Sequence, residues 1–110
     1  MKIAVLTDSE SAAGYRLTGL EVIIAEDTET AAKALVRLVQ EDLYALIAVQ
    51  ATLIADPYRI VKREMRGRDL PVLLPVPSID STVADRGENA KAYLRRLILE
   101  TIGYEIRIAD

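Results

Sequence analysis

Short apolar runs alternate along this chain with segments whose apolar residues recur at helical spacing. The residues Ile3 to Leu6 form an unbroken apolar run, which is typical of a central strand that is covered on both faces. A similar run from Tyr44 to Val49 predicts another buried strand. The predicted strands cover residues 2–7, 20–25, 44–49 and 70–77.

The segments between these runs predict helices with one buried face. From Thr28 onward, apolar residues recur at helical spacing and charged residues fall elsewhere around the helix. Asp56 and Pro57 form a typical helix start, and the helix that they begin is predicted to end at Gly67. Its buried stripe consists of Ile54, Tyr58, Val61 and Met65. Two further helices are predicted over residues 10–18 and 88–102.

The last apolar run contains three prolines from Leu70 to Pro77. Proline has no N–H to donate to a sheet ladder, so this run is predicted to be an edge strand in which Pro75 and Pro77 stop the pairing. Strands alternate with helices, a pattern that requires parallel strands joined by right-handed crossovers. The predicted fold class is α/β. It is a Rossmann-like open four-stranded parallel sheet in the order 2-1-3-4, with helices on both faces and a C-terminal helical segment.

The pattern also predicts three parts of the chain. Residues 1–77 form the α/β domain, the polar residues 78–87 form a linker, and residues 88–110 form a C-terminal helix and tail. This helix carries more apolar surface than the edge of a four-stranded sheet is expected to cover. Either all of it packs within the chain, or its second apolar side binds a partner helix.

Composition excludes several kinds of chemistry. The 110 residues include no His and no Cys, which excludes disulfides, thiol nucleophiles, imidazole acid–base catalysis and zinc sites built on those side chains. The formal net charge of -3 argues against non-specific binding to nucleic acid or anionic lipid. The chain has no membrane-spanning apolar stretch and no secretion signal, so we expect an intracellular protein without direct membrane insertion.

The end of the sheet where α/β folds bind ligands offers little recognisable chemistry. The loop after the first strand has no glycine between Asp8 and Ala13, although Glu26 and Asp27 stand where a ribose-binding acid is expected. A magnesium site of the receiver type needs a second carboxylate, whereas the third strand ends in Gln50. Ser9 or Asp8 is more simply the cap of the helix that follows. These residues predict no catalytic, cofactor or metal site, and a receiver-like or nucleotide-binding signalling domain is the alternative function.

A basic cluster lies on and after the third predicted helix. Glu64 and Asp69 are the only acidic residues within or beside it. The cluster is either a solvated helix face or a docking patch for an acidic protein surface, and nucleic acid is less favoured because no stacking aromatic residues accompany the charges. Its members are Arg59, Lys62, Arg63, Arg66 and Arg68.

Three segments carry a resemblance to a known family: Gly14 to Leu20 (GYRLTGL), Gly67 to Pro75 (GRDLPVLLP) and Thr101 to Ile108 (TIGYEIRI). In their order and in chain length, they resemble the F subunits of the rotary V-type (archaeal-type) ATP synthases. The resemblance implies a non-catalytic central-stalk (rotor) subunit that binds the coiled coil of the D subunit in the stalk. Through the D subunit it would work with the catalytic A/B ring and the membrane rotor, on the cytoplasmic side of the membrane, in coupling ATP synthesis or hydrolysis to ion transport.

The same resemblance implies which residues contact the D subunit. They belong to the C-terminal helix and tail, a segment that the family implies can change position relative to the domain. No active site, cofactor or metal is implied for this kind of subunit. The expected contact residues are Tyr93, Leu94, Leu97, Ile98, Ile102, Tyr104, Ile106 and Ile108.

Overall fold

A computed structural model describes residues 1–79 together with Ala92 and Arg96. The strands are β1 (Lys2–Thr7), β2 (Glu21–Ile24), β3 (Tyr44–Gln50) and β4 (Val72–Val76), and the helices are α1 (Ser9–Arg16), α2 (Thr28–Glu41) and α3 (Pro57–Ile60). All strand pairs are parallel and their order is β2-β1-β3-β4. The predicted α/β fold class and strand order are therefore confirmed.

The central strands are buried on both faces because their side chains alternate between two clusters. Val5 and Ala48 pack with Tyr15 of α1 on one face. Leu6 packs with Leu35 of α2 on the opposite face, where α3 also lies. Helices thus cover both faces of the sheet, as the unbroken apolar runs predict.

Helix ends follow the local sequence signals. Asp8 caps α1 by accepting a hydrogen bond from the N–H of Ser11, and Gly19 follows that helix in the left-handed region at φ 80°. Asp27 caps α2 by accepting from the N–H of Thr30, and this bond is the main cause that lowers the pKa of Asp27. Each capping residue lies in the short connection between a strand and the helix that follows it.

The prediction for the third helix is wrong in its length. The α-helix ends at Ile60, and the residues up to Gly67 form consecutive turns. Asp56 makes no capping hydrogen bond, and Val61 leaves the helical region at φ -110° and ψ 25°, so regular winding stops after one turn. Tyr58, predicted on the buried stripe, is 46% exposed, whereas Val61 is buried.

The edge position predicted for β4 is confirmed, but of the two prolines predicted to stop the pairing, Pro75 does not, and the strand ends before Pro77. Pro75 pairs opposite Val49, and pairing continues to Val76. The carbonyl of Val76 accepts a hydrogen bond from the N–H of Ala51, so the even-numbered residues of β4 direct their backbone groups at β3. The backbone nitrogen of Pro75 therefore lies on the outer edge of β4, away from β3, so the ladder with β3 needs no N–H from it.

The chain beyond β4 returns toward α1. Ile79 is buried in the cluster that contains Tyr15 and Val5, although the sequence assigns Ile79 to a linker. Ala92 and Arg96 are helical and exposed. The remaining C-terminal positions lie outside the described residues, so the division into domain, linker and C-terminal helix stays a prediction.

Candidate functional site

The candidate site lies at the carboxyl ends of β1 and β3. The connections that leave these adjacent strands run to opposite sides of the sheet, and ligands of open α/β folds bind at such a position. Thr7 and Asp8 are contributed by the end of β1, and Gln50 by the end of β3. Thr7 and Gln50 are each at most 1% exposed. The site is therefore built around two buried polar side chains.

The side-chain amide of Gln50 joins the loops at this end of the sheet. Its Oε1 accepts hydrogen bonds from the Thr7 hydroxyl at 2.5 Å and from the Asp8 N–H at 3.1 Å. Its Nε2 donates to Asp8 Oδ2 at 2.8 Å and to the Thr52 hydroxyl at 2.5 Å. An amide side chain offers two donors and two acceptor positions, and this one uses all four.

Both carboxylate oxygens of Asp8 accept hydrogen bonds from within the protein. One accepts from Gln50 Nε2, and the other accepts from the N–H of Ser11 at 2.8 Å. These bonds, chiefly the one from Gln50, hold the pKa of Asp8 below its ordinary value. The carboxylate stays ionised at neutral pH, and its oxygens are directed at the protein.

The N-terminus of α1 is occupied by two carboxylates. In nucleotide-binding folds the free N–H groups at this place hold a phosphate. Here the N–H of Ser9 donates to Glu26 Oε1 at 2.8 Å, and that of Ser11 donates to Asp8. Glu26 and Asp27, which stand in the ribose-acid position of the sequence, thus cap α1 and α2 respectively.

The segment after β4 covers the same end of the sheet from the α1 side. The Tyr15 hydroxyl donates to the carbonyl of Pro77 at 2.5 Å. The Ser11 hydroxyl accepts from the N–H of Ile79 at 2.8 Å and donates to its carbonyl at 3.3 Å. Within the described part of the chain, no buried side-chain nitrogen or oxygen lacks a partner. The polar groups here bind one another.

The polar side chains of this site bond to one another and to backbone N–H groups. Residues 1–79, with Ala92 and Arg96, contain no group of three or more acidic, His or Cys side chains that could bind a metal ion. Among the same residues, no helix has the length and hydropathy needed to cross a bilayer. The sequence correctly predicts a cap at Ser9 or Asp8 but treats Gln50 only as a missing carboxylate. The signal for its role is a glutamine that ends an otherwise apolar strand.

The predicted contact residues for a partner are not part of this site. All of them lie outside the described residues, so the structure neither brings them together nor separates them. They are Tyr93, Leu94, Leu97, Ile98, Ile102, Tyr104, Ile106 and Ile108.

The chain is similar over most of its length to known proteins of one family. Residues 3–97 match the family described as ATP synthase (F/14-kDa) subunit. The V-type ATP synthase F subunits of two strains of Thermus thermophilus are each 45% identical to the chain over 106 residues, which cover 96% of this chain and 100% of theirs. The V-type ATP synthase F subunit of Fusobacterium nucleatum is 31% identical over 77 residues, 70% of this chain and 71% of that protein. The chain therefore belongs to the family of V-type ATP synthase F subunits.

Proposed function

We propose that this protein is a non-catalytic central-stalk (rotor) subunit of a V-type ATP synthase, which binds the coiled coil of the D subunit. Through the D subunit it is coupled to the catalytic A/B ring and the membrane rotor. It works as a peripheral subunit on the cytoplasmic side of the membrane, where the complex links ATP synthesis or hydrolysis to ion transport. The observation that carries the proposal is the hydrogen-bonded network of Gln50.

The network supports a role in assembly because it occupies the usual ligand position of the fold. A ligand that entered between β1 and β3 would have to replace four hydrogen bonds of a buried amide. A phosphate would also have to displace the carboxylates of Asp8 and Glu26 from the N-terminus of α1. A domain of this kind is better suited to support a binding segment than to bind a substrate.

The binding segment that we propose is the C-terminal helix and tail, residues 88–110. An amphipathic helix recognises a partner helix through apolar residues at spacings of three and four. Leu94, Leu97 and Ile98 provide such a stripe. The proposed contacts continue through Tyr93, Ile102, Tyr104, Ile106 and Ile108.

A deletion that spares the core tests this proposal. Removal of residues 80–110 keeps Ile79 and its bonds to Ser11. The truncated protein should lose only the helical signal of the deleted segment and keep cooperative unfolding, and it should lose binding to the purified D subunit in a pull-down and by calorimetry. Unchanged binding by a folded truncated protein would disprove the proposed contact segment.

Substitutions in the full-length chain make the test specific. Changing Leu94, Leu97 and Ile98 together to alanine should weaken binding to the D subunit by about 100-fold or more, since buried apolar anchors dominate such interfaces. Arg96→Ala is the matched control because Arg96 is helical and exposed on the isolated chain. Equal affinities for the triple variant and the control would contradict the apolar stripe.

Under the alternative function, Asp8 would take part in binding a ligand. A receiver-like or nucleotide-binding domain would bind ATP, NAD or magnesium with micromolar affinity, and Asp8→Asn would abolish that binding. Calorimetric titration of the full-length protein distinguishes the two functions. We expect no binding heat, because both oxygens of Asp8 already accept hydrogen bonds.

A further inference from the structure

One member of the basic cluster is bonded within the chain and contributes to the fold. Arg68 contacts Asp42 Oδ1 at 2.7 Å and donates to the carbonyl of Val39 at 3.0 Å. Both acceptors belong to the C-terminal end of α2, where a cation is favoured by the helix dipole. These two contacts therefore hold the turns after α3 against the C-terminal end of α2.

The other four cations of the cluster remain on the surface. Arg59, Lys62, Arg63 and Arg66 are exposed, and none of them forms an ion pair with the described residues. Arg59 belongs to α3, and the other three lie on the turns that follow it. Val61, between Arg59 and Lys62 in the chain, is buried and anchors this exposed segment to the core.

An aromatic ring that is held by a hydrogen bond lies beside Arg59 in the chain. The Tyr58 hydroxyl accepts a hydrogen bond from the N–H of Leu73 at 2.9 Å, although the Tyr58 side chain is well exposed. Ile60, 37% exposed, lies two positions further along the helix. Tyrosine and arginine are enriched at the centres of protein interfaces, and a ring held in place loses little entropy on binding.

Along its outer edge, β4 offers a partner no free backbone N–H. Pro71 and Pro75 have no N–H, and the N–H of Leu73 is bonded to Tyr58. An added strand would find no donor along this edge, so it would pair poorly there. Side chains are therefore the main means by which this side of the domain could recognise a partner.

We propose that these residues form a docking surface, the Tyr58 patch, for a carboxylate-rich segment of another protein subunit of the ATP synthase. Arginine binds carboxylates through two parallel hydrogen bonds, and three of the four free cations are arginines. The net charge of -3 disfavours the extended phosphate arrays of nucleic acid and anionic lipid, whereas a short acidic segment needs only the patch. The proposal rests on family membership and is independent of the contacts proposed for the D subunit. The patch consists of Tyr58, Arg59, Ile60, Lys62, Arg63 and Arg66.

The association rate tests the charge of the patch. The variant Arg59→Gln, Arg63→Gln, Arg66→Gln should bind immobilised ATP synthase that lacks its F subunit about tenfold more slowly than wild type at about 50 mM NaCl. The difference should largely disappear at about 300 mM NaCl, where exposed charges are screened. The matched control is Lys33→Gln, Arg37→Gln, since both cations are exposed on α2 and paired with Glu29 and Glu41.

The identity of the partner is tested by cross-linking in the assembled complex. A photoreactive phenylalanine analogue at Ile60, in the full-length chain, should cross-link to a protein segment rich in Asp and Glu. Equal association rates for the patch variant and wild type would overturn the proposal, as would cross-links only to lipid, to nucleic acid or to a segment without acidic residues. Substitutions in the C-terminal segment are read by affinity for the purified D subunit, and those in the patch by the salt-dependent association rate and the cross-link, so failure of the two proposals is distinguishable.

Discussion

The two ends of the parallel sheet carry similar polar side chains but use them differently. At the carboxyl end, the buried side chain of Gln50 connects Thr7, Asp8 and Thr52 in one network of several hydrogen bonds. At the amino end, the Tyr44 hydroxyl donates a single hydrogen bond of 2.9 Å to Glu21, an exposed residue. The end of the sheet that usually binds ligands is therefore the end whose polar groups depend most on one another.

The difference indicates how the fold is used in this protein. A ligand-binding domain leaves polar groups at the carboxyl end unpartnered until the ligand arrives. Here an amide and two carboxylates occupy the positions that a phosphate and a metal would take. The amino end is not a ligand position in such folds, and its polar pair is joined by one partly buried hydrogen bond. We expect substitutions at the two ends to have unequal effects on stability.

The largest effect is expected for Gln50→Leu. Leucine fills most of the space but leaves the Thr7 hydroxyl, the Asp8 N–H and the Thr52 hydroxyl without the partner that they now share. The free energy of unfolding should fall by about 2 to 4 kcal/mol, measured by urea denaturation. Gln40→Leu is the matched control because Gln40 is exposed on α2, and its effect should stay within about 0.5 kcal/mol.

A small effect of Gln50→Leu would reverse the comparison. If this variant and Gln40→Leu unfolded at the same urea concentration, the carboxyl-end network would contribute no more than surface contacts do. The residues at the carboxyl end could then be substituted at little cost in stability, and the network would no longer support a role in assembly.

The sequence predicts the strands well because their signal is local. β1 and β3 are unbroken apolar runs, and a buried parallel strand needs no distant partner to be recognised. The length of α3 is not local, since Tyr58 leaves the expected buried stripe to bond with Leu73, 15 positions away. The role of Gln50 is still less visible, because Thr7 and Asp8 lie 43 and 42 positions away in the chain. Neither partner is marked by a motif.

A smaller effect is expected for Asp8→Asn, which keeps the shape of the network but removes its charge. The asparagine amide would face Gln50 Nε2 with a second donor, so the free energy of unfolding should fall by about 1 to 2 kcal/mol. Asp56→Asn is the control, since Asp56 makes no capping hydrogen bond. Equal losses for both variants would contradict the role of Asp8 in the network.

The pH dependence isolates the same charge. The pKa of Asp8 is lower in the folded protein than in the unfolded chain, chiefly because of Gln50. Its stabilisation is therefore complete above the unfolded pKa of about 3.9 and is lost as the pH falls through the folded pKa. Wild type should lose more stability than Asp8→Asn on acidification. Asp27, whose pKa is also lowered, titrates in both proteins and cancels in the difference.

The smallest effect at neutral pH is expected at the amino end, for Tyr44→Phe. The variant loses one hydrogen bond to an exposed carboxylate, so unfolding should become easier by about 0.5 to 1 kcal/mol. Burial, and then the bond to Glu21, raises the pKa of Tyr44 to about 12. The unfolded tyrosine ionises near pH 10, so the stabilisation is complete below about pH 10 and is lost as the pH rises through 12.

Raising the pH should therefore reverse the order of the two proteins. Wild type is the more stable at about pH 8, and its advantage over Tyr44→Phe should shrink and change sign between about pH 10 and 12, as followed by urea unfolding. Glu21→Gln separates the two causes, because burial is the larger one and should keep the pKa of Tyr44 raised without the carboxylate. If that variant returned the tyrosinate absorbance titration to its ordinary midpoint, the amino end would depend on its charged pair as much as the carboxyl end depends on Gln50. The contrast between the two ends would then be one of degree alone.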